Sequence, residues 1–226
     1  IQKYPNAPIL FNLLGICFNS ISHFEDAIKM FSEAIKINSD YSEAFYNLGS
    51  VQKKIGRFQE AIESYKRAIQ ITPNYLDAHN NLGNTLLLMG RFDEAAQSYQ
   101  KALKINPDYP ALHNNLGNAL ADLGAWSGQV EPLEQSLAAH NHALSVRTKS
   151  GWPIQWAESQ TNLANAIIRL AQVEGAPKRI NDAIAHYKSA QTIYLREEFP
   201  KDWAWSEASL ASAHIDLGNM TGDNSE

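Results

Sequence analysis

The sequence predicts an all-α solenoid built from antiparallel helix pairs stacked in a row. Leu-Gly recurs at Leu14-Gly15, Leu48-Gly49, Leu82-Gly83 and Leu116-Gly117, each pair 34 residues after the last. The apolar residues around it fall at helical spacing, in two successive stretches per period. Pro73 and Pro107 recur in the same register, where the second stretch must stop. A fixed period of this length means copies of one small unit, none of which can bury its apolar face alone.

Numbering each unit 1–34 with its Gly at position 8 places the unit starts at Pro8, Ser42, Leu76 and Pro110. Positions 4, 7, 11 and 14 share one face of a first helix. Position 4 reads Phe11, Phe45, His79 and His113; position 14 reads Ile21, Ile55, Met89 and Leu123. Positions 17, 20, 24 and 27 share a face of a second helix. They read Phe24, Phe58 and Phe92, then Ala27, Ala61 and Ala95, then Phe31, Tyr65 and Tyr99, then Ala34, Ala68 and Ala102. Gly56-Arg57 and Gly90-Arg91 mark the turn between the two helices. The small residues at 8, 20 and 27 let the helices approach closely.

The second half keeps the pattern at a longer spacing. Asn162-Leu163-Ala164 follows Asn115-Leu116-Gly117 by 47 residues, and Leu210-Ala211 lies another 47 on. Trp156 and Trp203 share that spacing, as do Pro153 and Pro200. About seven residues enter the turn between helices (125–131 and 172–178), and about six more enter between units (near 149–155 and 197–202). Because the facing pattern survives, both additions are expected to be loops or short helix extensions.

These residues resemble the tetratricopeptide repeat, in its bacterial form. An aromatic at 4, Leu-Gly at 7–8, Ala at 20, an aromatic at 24, Ala at 27 and Pro at 32 follow its pattern well over 8–109. The resemblance implies a right-handed superhelix of about five and a half repeats, with the first helices lining the inner face. Segment 1–7 reads as the end of a preceding repeat, with Pro5 at position 32 of that unit. Regular units fill 8–109, two longer units fill 110–200, a final unpaired or capping helix spans 201–218, and 219–226 is a polar tail. The chain thus reads as a fragment, with Trp205, Ile215 and Leu217 lacking their usual cover.

Composition narrows the function classes. The 226 residues are 44% hydrophobic and 19% charged, with a net charge of −5, which argues against a nucleic-acid partner. No apolar run is long enough to insert in a membrane. Cys17 is alone and reads as a small buried filler, so the expected compartment is the cytoplasm. No His-Glu-x-x-His, Cys-x-x-Cys, phosphate loop or nucleophile motif occurs, so neither a catalytic set, a metal nor a cofactor is expected.

The candidate site is a row of carboxamides on the first helices. Position 6 is Asn47, Asn81, Asn115 and Asn162; position 9 adds Asn84, Asn118 and Asn165; position 5 adds Asn12, Asn80 and Asn114. Asn is a poor helix former, so ten of them in helix interiors are a repeated local cost. A carboxamide both donates and accepts, and a row of them can hold the backbone of an extended peptide without reading its sequence. The row resembles the asparagine ladder in the repeat arm of O-linked N-acetylglucosamine transferases. Its other reading is that these amides bond neighbouring helices. Lys54 and Arg169 add cations to the same face; Glu43, Asp77 and Glu158 make one rim acidic. A chaperone-tail clamp is excluded: its positions read Asn12, Ile16, Asn47, Asp77 and Asn81, without the required cations.

The expected function is protein–protein interaction, with an extended partner segment along the Asn-lined face. The first alternative is the substrate-recruiting arm of a larger enzyme, as such arrays serve glycosyltransferases, sulfotransferases and caspase-like peptidases. The second is a self-assembling scaffold, a homo-oligomer formed through the terminal helix. His79 and His113 read as packing residues in an aromatic slot, Trp156 and Trp203 as core of the longer units, and Trp126 as an exposed anchor.

Overall fold

The computed structural model describes residues 7–222, and the sequence features at 1–6 and 223–226 lie outside them. Eleven helices and no strand occur among the described residues. The described residues form two compact units, divided between Pro107 and Asp108.

The first unit holds three helix pairs: α1 (Pro8–Ser20) with α2 (Phe24–Ile37), α3 (Ser42–Lys54) with α4 (Phe58–Ile71), and α5 (Leu76–Leu88) with α6 (Phe92–Ile105). Each pair closes on one contact. The aromatic at position 24 lies flat on the Gly at position 8, so a Cβ on Gly15, Gly49 or Gly83 would stand 2.5, 2.9 or 2.7 Å from the ring of Phe31, Tyr65 or Tyr99. The six Ala at positions 20 and 27 are fully buried beside it. The turns follow one geometry. Gly56 and Gly90 take left-handed φ of +79° and +69°, and the next N–H reaches back to Gln52 or Leu86 at 2.9 Å. Ser22 makes the same turn at φ +62°, a conformation that glycine takes at less cost.

The second unit holds α7 (Pro110–Ser127) with α8 (Val130–Val146), α9 (Pro153–Glu174) with α10 (Lys178–Gln191), and α11 (Pro200–Thr221) packed on α10. The added residues in its turns are mostly helix. Gly124 stands where Gly56 and Gly90 turn, yet α7 runs through it, and Leu133 packs so closely that a Cβ on Gly124 would stand 2.5 Å from it. The left-handed residue comes four places later, at Gly128, and equally at Gly175 in α9. Four residues are close to one helical turn, so the buried face continues unbroken. Helix α11 also runs past the expected end at 218: Asn219, Met220 and Thr221 are helical, and Gly222 at φ +74° stops it.

Trp156 and Trp203 pack with Ala157, Ala190 and Tyr194, as the repeat register predicts. Trp126 stands out at 77% exposure. Trp205 and Ile215 are exposed, while Leu217 packs against the α9–α10 core. Cys17 corrects an expectation: it is exposed, not buried. The next two first helices bury Val51 and Thr85 at the same position, Val51 against Ala27 and Phe31 of the preceding pair, and α1 has no preceding pair among the described residues.

Candidate functional site

The carboxamides divide by position, and the division follows from which helix each one faces. In the first unit, position 6 reaches back to position 5 of the preceding first helix. Asn47 Nδ2 donates to Asn12 Oδ1 at 3.0 Å, and Asn81 Nδ2 donates to the Tyr46 hydroxyl at 3.0 Å. Asn12 donates onward to the Tyr41 hydroxyl at 3.2 Å and is buried. Position 9 instead serves the helix pair itself: the Tyr99 hydroxyl donates to Asn84 Oδ1 at 2.7 Å, and the Tyr65 hydroxyl donates to Ser50 at 3.3 Å. Burial pushes the Tyr65 hydroxyl up to about 12 and raises that of Tyr99 further, so both are neutral donors.

These bonds use one end of each amide. Asn47, Asn81 and Asn84 are half-exposed, and no second partner among the described residues takes Asn47 Oδ1, Asn81 Oδ1 or Asn84 Nδ2. Asn80 is half-buried. Glu43 and Asp77 are exposed, as are the apolar side chains Ile9, Leu13 and Ile16 on α1. Lys54 is exposed and donates to Asn19 Oδ1 at 2.9 Å.

In the second unit Asn114 is buried. It donates to Ser159 at 2.7 Å and faces His140 Nδ1 at 3.2 Å. Asn165 Oδ1 accepts from the Tyr187 hydroxyl at 2.5 Å, while Asn115, Asn118 and Asn162 are half-exposed. Arg169 is ion-paired with Asp122 and is not a free cation. Asn12 and Asn114 therefore act as buried bridges between helices.

Two arrangements escaped sequence reasoning. The His113 and His142 rings meet at 3.9 Å, drawn together from α7 and α8. The lysines Lys66, Lys101 and Lys104 gather around one cleft in the first unit. Among the described residues, no three His, Cys, Asp or Glu side chains group to hold a metal ion, and no helix is long and apolar enough to cross a membrane.

The family model of the TPR repeat matches residues 20–56, 53–90 and 83–124. The chain carries TPR repeats over residues 20–124. Its fold is shared with solved TPR structures: MamA at 19% identity, covering 84% of this chain and 93% of that one with a TM-score of 0.68. YrrB, a TPR protein with an unusual peptide-binding site, is 18% identical over 85% of this chain and 89% of its own, with a TM-score of 0.69. A thermophilic TPR protein of Thermus thermophilus is 25% identical over 92% of this chain and all of its own, with a TM-score of 0.57. No curated protein matches the sequence.

Proposed function

We propose that this protein is an interaction module that binds an extended polypeptide segment across its first helices. The observation that carries this is the half-exposed set Asn47, Asn81 and Asn84, which presents two carbonyl oxygens and one amide nitrogen in a unit that also exposes apolar and acidic side chains. An extended backbone offers the complementary N–H and C=O groups. Asn115, Asn118, Asn162 and Asn165 make the corresponding polar face of the second unit. Glu43 and Asp77 favour a segment carrying a basic residue.

Peptides selected from a random library on the intact protein test this. Binders are expected to lose about tenfold in affinity for Asp77→Lys, a change of about 1.4 kcal/mol at an exposed site that leaves folding intact. Binders indifferent to Asp77→Lys and to Asn84→Ala alike would place the interaction elsewhere. A second reading rests on α11, where Trp205 and Ile215 are 54% and 63% exposed and suit self-association. Sedimentation of Trp205→Lys against the parent protein separates the two.

A further inference from the structure

A second recognition feature lies on the other side of α5. At about 100° per residue, His79 stands about 140–160° around that helix from Asn81 and Asn84. It floors an open cleft of about 520 Å³ between α4 and α6, lined by Ile69, Pro73, Asn74, Lys101 and Lys104. An adjoining hollow adds Lys66, Gln70 and Gln97.

The repeat one step earlier supplies the internal comparison. There, position 26 is Arg67, which sits over the position-4 ring of Phe45 at 5.9 Å and pairs with Asp40 at 3.6 Å. Shifted by 34 residues, Phe45 becomes His79, Arg67 becomes Lys101, and Asp40 becomes Asn74. The same shift turns Ser32 into Lys66, Glu63 into Gln97 and Gln70 into Lys104. Lys36 likewise becomes Gln70, so the cleft gains one cation in all and loses two of three carboxylates. None of its three lysines has a carboxylate within ion-pair distance among the described residues, although the chain as a whole carries a charge of −5. The remaining acid, Glu94, is held at 2.7 Å by Arg91.

The floor is polar as well. His79 is 5% exposed; its Nε2 faces the Pro73 carbonyl at 2.9 Å, which puts the proton there and leaves the buried Nδ1 without a partner. Burial, with Lys101 adding to it, pulls this imidazole below its ordinary range. We propose that the cleft between α4 and α6 docks an acidic segment of a partner protein, whose carboxylate takes beside Lys101 and Lys104 the place that Asp40 takes beside Arg67. Asn74, Gln70 and Gln97 supply neutral donors around it.

The test uses a short Glu- and Asp-rich peptide with blocked ends, titrated into the whole chain at low salt by fluorescence anisotropy. The matching Gln- and Asn-rich peptide and inorganic phosphate serve as the other arms. The acidic peptide is expected to saturate, to weaken as salt rises, and to lose about tenfold in affinity for the Lys101→Gln, Lys104→Gln double variant. Asn74→Asp restores the internal carboxylate of the preceding repeat and is expected to weaken the peptide several-fold with every lysine still present. The His79 ring proton should shift on binding, and in Asn74→Asp only at correspondingly higher peptide concentration. Equal affinity in the parent and Asn74→Asp overturns the proposal. So does saturation by phosphate with no binding of the peptide, which makes the cleft a simple oxyanion site. Asp77 and Asn84 lie outside the cleft, so its failure leaves the reading of the first helices untouched.

Discussion

The pairs α5–α6 and α7–α8 fill one structural position with different rings, and the difference separates packing from recognition. In α5–α6 the ring is Tyr99. It lies on Gly83, and its hydroxyl spans the pair to bond Asn84. In α7–α8 the ring is His140, which lies on Gly117 but is too short to reach the equivalent Asn118. It turns instead to Asn114, which bonds Ser159, which also accepts from Arg147 at 3.1 Å. His140 Nε2 remains buried with no partner. One pair closes through a single hydroxyl–amide bond; the other threads a polar chain through its core and leaves one atom unsatisfied, an expensive arrangement in a dry interior.

The largest expected effect comes from deleting the ring that closes the regular pair. Tyr99→Ala leaves a cavity against Gly83 and strands the Asn84 carbonyl, and should destabilise the protein by about 4 kcal/mol in urea unfolding. A loss below about 1 kcal/mol would mean that the pair does not close on this contact.

Next comes the pH response of the other pair. Burial lowers the His140 imidazole from its ordinary 6.5 to about 4. Between those values the unfolded chain takes up a proton that the folded chain refuses, so stability falls as pH drops from about 6.5 to about 4 and levels off below. The full loss is about 3 kcal/mol. His79 and His186 shift in the same direction, so His140→Tyr should flatten the curve without abolishing it. An unchanged slope in His140→Tyr would show that this imidazole takes up its proton as readily in the folded chain as in the unfolded one.

This comparison also shows what could be read from the sequence. The fold was legible because its deciding contacts sit at fixed places: Gly at 8, Ala at 20 and 27, an aromatic at 24. The lengthening of α7 stays open in the sequence between a loop and a helix extension, since Gly124 occupies the turn position and the packing of Leu133 onto it is what shows that the helix continues. The row of asparagines was visible, but its partners were not. Position 9 bonds a tyrosine 15 residues away in α5–α6 and 22 away in α9–α10, a separation that the added turn residues change. The lysine cleft was invisible for a similar reason, because its cations come from two helices and mean something only against the Asp40-to-Asn74 exchange.

The smallest expected effect discriminates most finely. Asn84→Ala removes the acceptor of the Tyr99 hydroxyl and leaves that buried donor unpaired, which should cost about 1–2 kcal/mol. Asn118→Ala is the same substitution at the same position of the neighbouring pair. There the ring is histidine, no tyrosine hydroxyl depends on the amide, and the change exchanges a poor helix former for the best one. It should leave stability unchanged or raise it by a few tenths of a kcal/mol. Because Asn118 is half-exposed with no side-chain bond among the described residues to lose, any fall in peptide affinity in Asn118→Ala reports contact with the ligand rather than damage to the fold. Equal destabilisation by the two substitutions would mean that position 9 is held by something other than the ring at position 24, and the division between bonded and open amides would fall with it.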